Sequence, residues 1–228
     1  MNISKCIREV VLDTETTGLN YESDRIVEIA CVELANHVPT GNVYQIYVNP
    51  QRDVPRDATV IHGITNELLA DKPFFSEIVD DFLNFIKDAK LVVHNAKFDL
   101  GFLNSELKRI NRPSLNMENV IDTLEITRKK FPGMPANLDA LCKKFEIDLS
   151  SRVVHGALVD CKLLSEVYIN LLGGRQSGLS FTTEASGDMR SLQRNRRVYE
   201  IRHFPPSQEE ISRHKEFLKS LNSPLWNE

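Results

Sequence analysis

The stretch VVLDTETTGL, Val10 to Leu19, limits what this chain can fold into more than any other segment. Val10, Val11 and Leu12, with Ile7 just upstream, predict a buried strand. That strand ends on two carboxylates, Asp13 and Glu15, two residues apart. Strand side chains alternate between faces, so both acids point the same way. Two anions side by side at the edge of a core cost free energy unless a positive group lies between them. The strand end is therefore expected to be a site, and the site to require a cation.

Two further extended segments follow, Ile26–Leu34 and Val43–Val48, joined by short links rich in Gly, Asn and Pro, which predicts a meander. VPRDATVIHGIT reads as a loop. In Phe74–Ile86 the residues Phe74, Ile78, Phe82, Leu83 and Ile86 recur at helical spacing. Leu91–His94 reads as a buried strand. Asn95 is placed to cap the next helix, whose inner side carries Phe98, Phe102, Leu103, Leu107 and Ile110. Val120–Thr123 reads as a last short strand, followed by helices over Leu138–Phe145, started by Asn137, and Gly156–Leu172. This order predicts an α/β fold: a mixed five-stranded sheet flanked by helices, with an antiparallel meander on one side and right-handed parallel crossovers on the other.

Residues 1–172 form the expected main domain. After Leu172 the chain turns rich in Gly, Ser and Arg, and residues 173–196 read as a flexible linker. In the last part, 197–228, Ser207 begins an S-x-x-E capping box ahead of a short helix with the stripe Ile211, His214, Leu218 and Leu221. A 32-residue segment is below the roughly 40 residues an independent core needs. Its apolar residues, from Val198 to Trp226, therefore either pack back on the domain or dock on a partner.

Charge narrows the function classes. Residues 173–228 carry 9 Lys/Arg against 7 Asp/Glu, and the first 172 carry 19 against 25. An acidic body argues against a non-specific duplex binder held by phosphate contacts, and leaves room for an enzyme that grips phosphate through metal ions. Cys6, Cys31, Cys142 and Cys161 form no CxxC pair, which fits a reducing compartment. No apolar run approaches the roughly 20 residues of a membrane helix, and MNISKCIRE lacks the apolar core of a signal peptide, so a cytoplasmic location is expected.

Further acids stand where elements begin. Asp99 lies in HNAKFD after the Leu91–His94 strand, and Asp160 in HGALVD, with His155 five residues before it. Taken singly, each has an ordinary reading: a solvated pair, a first-turn helix charge, a loop histidine. Together, four acids and one histidine at element ends that one fold brings together suggest a cage. Lys97 is the nearby cation in sequence. Hard divalent ions answer the remaining repulsion: Mg2+ takes a few carboxylates and completes its shell with water and phosphate oxygens. Two such ions about 4 Å apart serve phosphodiester hydrolysis, and a histidine suits removal of the water's proton.

DTETTG, HNAKFDLGFL and HGALVD, in this order and spacing, resemble the DEDDh 3'-to-5' exonucleases, which share a ribonuclease H-like fold. IHGIT, LLADKP, FPG followed by NLDALC, and the terminal LW make the chain more narrowly similar to the epsilon proofreading subunits of bacterial DNA polymerase III, over essentially its whole length. The resemblance implies two metal ions per site, Mg2+ with Mn2+ able to substitute, held by Asp13, Glu15 and Asp160, with Asp99 completing the set. It implies His155 as general base. It also implies substrate contacts from His62, Asp57, Thr16, Gly18 and Leu19 to the last nucleotide, although a glutamate is usual where Asp57 stands. The related subtype with a catalytic tyrosine carries it where this chain has Gly156, so the histidine subtype is expected.

Within the linker, QSGLSF places Gln176, Leu179 and Phe181 in the spacing of a short sliding-clamp motif. The resemblance further implies the polymerase alpha subunit as the partner of residues 197–228, with a small theta-like subunit as a further candidate, and action at the replication fork on single-stranded or frayed DNA 3' ends. An RNA-trimming exonuclease of the same superfamily and a non-catalytic scaffold are the rivals. A scaffold has no need to maintain a repulsive acid cluster.

Overall fold

The computed structural model describes residues 7–150, 152, 154–174 and 205–220. They fall into two units divided between residues 179 and 180. The first holds five strands and seven α-helices among its described residues. β1 (Arg8–Thr16), β2 (Ile26–Ala35) and β3 (Val38–Tyr47) form the antiparallel meander, and β4 (Lys90–Val93) and β5 (Val120–Asp122) add in parallel, in the order β3-β2-β1-β4-β5.

The apolar alternation of β1 assigns its faces. Val10 and Leu12 pack with Phe82 of α3 (Phe75–Ile86) and Phe102 and Leu103 of α4 (Ala96–Arg109). Val11 packs on the other face with Leu141 of α6 (Leu138–Lys144) and Leu164 and Val167 of α7 (Ala157–Leu171). Asp13 and Glu15 share the Val11 face by strand alternation, and Thr14 shares the opposite face. The mixed five-stranded sheet covered by helices on both sides is the expected fold class.

Several local expectations are corrected. β3 begins at Val38, well before Val43, because Asn36 and His37 (φ 49° and 66°) make a two-residue hairpin of the kind whose positive φ values match the strand twist. The loop VPRDATVIHGIT contains a short helix, α1 (Arg56–His62), ended by Gly63 in the left-handed region, with α2 (Asn66–Leu69) after it. Ala58 of α1 and Leu69 of α2 bury against Val27 of β2, which gives these short helices their reason to form. A further helix, α5 (Thr123–Lys130), follows β5 directly.

Asn95 does not cap α4 through its side chain. It adopts φ 69°, and the Asp122 carboxylate accepts from the Asn95 and Ala96 N–H groups at 3.1 Å each. The same carboxylate accepts from Leu124 N–H at 2.9 Å, so one side chain at the end of β5 caps two helices. In α6, Asn137 is the cap as expected, accepting from Ala140 N–H at 2.8 Å.

In the second unit, α8 (Gln208–Lys219) is opened by the expected capping box: Ser207 Oγ accepts from Glu210 N–H at 3.2 Å and Ser207 N–H donates to Glu210 Oε2 at 2.7 Å. Leu221 and the clamp-like segment Gln176–Phe181 lie outside the described residues. Among the described residues, no helix is long and apolar enough to cross a membrane.

Candidate active site

The site lies at the carboxyl ends of β1 and β4, where a sheet with parallel strands presents its ligands. Asp13 and Glu15 come from β1. α7 runs back along the same face and brings Asp160, in its first turn, to them. Carboxylate oxygens of Asp13, Glu15 and Asp160 lie within 4.8 Å of one another. Asp99 approaches from the other face of β1, where its Oδ1 accepts from Thr14 N–H at 3.0 Å and Thr14 Oγ1–H at 2.8 Å. It stands outside the group of three, yet close enough to act on the charge of Asp13.

A carboxylate absent from the sequence expectation completes the surroundings. Glu28 on β2 stands directly across the ladder from Glu15 and is buried. Like charges so placed destabilise a sheet. Its oxygens are occupied: Oε1 accepts from Gln45 Nε2 at 2.7 Å and Oε2 from Ala157 N–H at 3.1 Å. Glu28 thus caps the start of α7, the helix that carries Asp160. A carboxylate at a helix N-terminus is the one signal in the sequence that could have suggested it, but the two are 129 residues apart.

The electrostatics follow from this crowding. Burial, then Asp99, Glu15 and Asp160, push Asp13 well above the usual carboxylate range. Burial, then Asp160 and Glu28, raise Glu15 from 4.5 to about 8. Burial raises Asp99 to about 7 against the Thr14 hydrogen bonds that oppose it. The protein alone does not ionise the whole set at neutral pH. Three converging hard oxygen donors with this deficit of positive charge fit a divalent cation.

One cation is present, and it is not Lys97, which makes no ion pair among the described residues. Arg152 forks onto Asp160, Nε to Oδ1 and Nη2 to Oδ2, each at 2.6 Å. Its Nη1 donates to Asp139 Oδ1 at 2.6 Å. Its Nη2 also lies 2.9 Å from His155 Nδ1, and guanidinium has no acceptor, so His155 accepts there and carries its proton on Nε2. The signal for Arg152 was its position three residues before His155.

Two grooves flank the acids. One, of about 510 Å³, is lined by Thr14 to Leu19, Asp24, Pro55, Asp57, Ala58, Ile61, His62 and Phe98. It gathers Thr16, Gly18, Leu19, Asp57 and His62 beside Glu15. A Cβ on Gly18 would lie 2.3 Å from Asp24 Oδ2, so any larger residue there has to displace the Asp24 carboxylate. His62 is buried, and burial lowers its pKa. Its Nδ1 accepts from Ile64 N–H at 3.0 Å, which puts the proton on Nε2. That Nε2 makes no hydrogen bond among the described residues, although the Thr16 carbonyl lies near enough to favour its proton. The smaller groove, about 220 Å³, is lined by Asp13, His94, Asn137, Leu138, Asp139, Arg152, His155, Asp160 and Leu164. His155 is tied to the first groove through its N–H, which donates to Ile61 O at 3.1 Å.

Known proteins resemble this chain in sequence and in fold. The exonuclease family model RNase_T matches residues 10–168. The chain is 48% identical over 222 residues to the DNA polymerase III subunit epsilon of Rickettsia felis, covering 94% of this chain and 97% of that one. It is 42% identical over 236 residues to the protein of the same name in Escherichia coli K12, covering 96% and 97%. Among solved structures it resembles exonuclease X in complex with 5' overhanging duplex DNA, at 29% identity and a TM-score of 0.56 over 72% of this chain and 90% of that one. The nuclease domain of 3'hExo, a DEDDh family member bound to rAMP, shares the fold at 19% identity and a TM-score of 0.64 over 74% and 93%. With a family match over most of the first unit and relatives matched nearly end to end, this chain belongs to the exonuclease family, as a 3'-to-5' enzyme of the DEDDh type, and within it to the DNA polymerase III epsilon subunits.

Proposed function

We propose that this exonuclease removes mispaired 3'-terminal nucleotides from DNA as the proofreading subunit of a replicative polymerase, with Asp13, Glu15, Asp99, Asp160 and His155 as its catalytic residues. The observation that carries the reading is the group of three carboxylates within 4.8 Å beside a groove that gathers Thr16, Gly18, Leu19, Asp57 and His62. Asp13, Glu15 and Asp160 would hold two Mg2+ ions, with Asp99 completing the set and Mn2+ able to substitute. When bound, these ions supply a lowered pKa for the attacking water and neutralisation of charge on the leaving oxygen.

The chain's own residues do the rest. His62 lies against the last nucleotide, Leu19 and Phe98 offer its base apolar surface, and the Thr16–Gly18 backbone lines the groove against its sugar. Asp57 stands at the rim. His155 accepts the proton of the attacking water. Mispaired ends unstack at lower cost, so an unpaired strand reaches the acids more often than a paired one. The test is hydrolysis of deoxyribo- and ribo-oligonucleotides of one sequence with and without Mg2+. Faster cleavage of the DNA is expected; faster cleavage of the RNA would favour the RNA-trimming alternative, and no metal-dependent cleavage would refute the mechanism.

The names of the relatives support association with the polymerase III core, and the same reading puts the enzyme on DNA at the replication fork, in the cytoplasm. We place the alpha-subunit contact in residues 197–228, where α8 presents Phe217 exposed and Ile211 and Leu218 partly buried, and the clamp contact at Gln176, Leu179 and Phe181. A theta-like small subunit is a further candidate partner. Loss of the alpha complex on removing 197–228 is the expected result; an unaffected complex would refute the assignment.

A further inference from the structure

Arg152 occupies a position the proposed chemistry does not use. Its side chain is only 8% exposed, and so is that of Asp160. Its fork covers both oxygens of Asp160, one of the three carboxylates that converge as metal ligands. The same guanidinium consumes the Nδ1 lone pair of His155, and the proton then on Nε2 leaves that ring with no free acceptor. One side chain thus stands on a metal ligand and on the base together. Its third arm reaches Asp139, which is half exposed and lies outside the three-acid group.

We infer that Arg152 is an internal latch: a resident cation that neutralises Asp160 and silences His155 until divalent cations load, and that then leaves Asp160 while remaining tethered to Asp139. The inference rests on the divalent-cation reading of the site. The physical argument is exchange of counter-charge. Four buried or half-buried carboxylates, Asp13, Glu15, Asp99 and Asp160, lie in one field, and removing the one guanidinium that the described residues place among them would leave Asp160 uncompensated. A metal supplies more charge to the same oxygens, so the guanidinium and the metal exclude one another there. Freed from Arg152, His155 regains an acceptor nitrogen. Base and metal site are then switched on by one movement, which makes Arg152 a positioning residue and not a catalytic one.

Linkage makes the inference measurable, because a group that competes with a ligand weakens it by the coupling between them, commonly 5- to 150-fold. Mn2+ binding to the full chain without DNA is followed by the electron paramagnetic resonance signal of free Mn2+, for wild type and Arg152→Gln. The variant should bind Mn2+ at least about fivefold more tightly. It should melt lower than wild type in EDTA and recover the wild-type melting temperature with saturating Mn2+. Unchanged or weaker binding, or a melting deficit that persists with Mn2+, would mean a plain structural ion pair and would overturn the latch. Should the variant fail to fold, wild-type protein decides the question: rotation of the Arg152 guanidinium about Nε–Cζ, slow in a bidentate pair, should quicken as Mg2+ is titrated, and a rate that stays constant through saturation overturns the latch. Wild-type protein that binds no Mn2+ would remove the divalent-cation reading and the latch together, whereas binding with equal affinities would remove the latch alone.

Discussion

Replacing Glu15 by glutamine should stabilise the metal-free protein, and only at high pH. The Glu15 carboxyl is raised from 4.5 to about 8, first by burial and then by Asp160 and Glu28. Between those values the folded chain holds a proton that the unfolded chain has released. Folding stability therefore falls as pH rises through the window from 4.5 to 8, and the full penalty applies above it. At 1.36 kcal/mol per pH unit the displacement corresponds to about 5 kcal/mol. Glu15 is only partly buried and borders an open groove, so solvent screens the charge, and we take about 2 kcal/mol. For a chain of this size that is a rise in melting temperature of roughly 4–8 °C. The assay is thermal unfolding in EDTA at pH 8.5 and pH 5 for wild type and Glu15→Gln. The variant should melt higher at pH 8.5, and most of the gap should close at pH 5. Saturating Mg2+ should stabilise wild type at pH 8.5 far more than the variant. An equal gap at both pH values, or a variant less stable at pH 8.5, would refute the claim that repulsion among the acids is stored in the fold.

Three other expectations follow from the same geometry. His155→Ala should lower the single-turnover rate by about 10^2- to 10^4-fold, and an unchanged rate and pH profile would remove it as the base. Asp122→Ala strips the acceptor from three backbone N–H groups at the starts of α4 and α5 and should cost about 2–3 kcal/mol in urea unfolding; a smaller loss would mean water replaces the carboxylate. Gly18→Ala forces a Cβ against Asp24, which holds Asn20 N–H and Arg52, and should raise KM for DNA more than it lowers kcat, as steady-state kinetics will show.

The strands and the long helices were legible because their apolar residues recur at a fixed period, as in β1, α3 and α4. The acids were legible because motif spacing places them at element ends. What escaped was set by contacts far apart in sequence. α1 and α2 carry too few apolar residues to announce themselves, and they form because Val27 of β2 gives them a surface. Asn95 has the composition of a cap, but Asp122, 27 residues on, supplies the carboxylate. Arg152 escaped because a place three residues before His155 says nothing about whether its side chain turns back on its neighbours. A buried cation next to a carboxylate is a property of the folded chain, not of the motif.

The same long-range contacts explain how a repulsive site is kept rigid. Each acid-bearing helix is fastened to the sheet by a separate polar contact beside its acid. Thr14 of β1 holds Asp99, and with it α4, through two hydrogen bonds. Glu28 of β2 holds Ala157 N–H, and with it α7, next to Asp160. One turn further on, the Cys161 thiol donates to Ala30 O at 3.3 Å. These fasteners sit where repulsion would otherwise push the helices off the sheet. Glu28 itself adds negative charge to the site it secures, raising Glu15 and Asp13 while fixing Asp160. Geometry is thus bought with electrostatic strain, and the strain is relieved when cations arrive. Binding of metal and stability of the fold are then one equilibrium: a substitution that relaxes the acids should stabilise the empty protein and weaken its hold on metal in proportion.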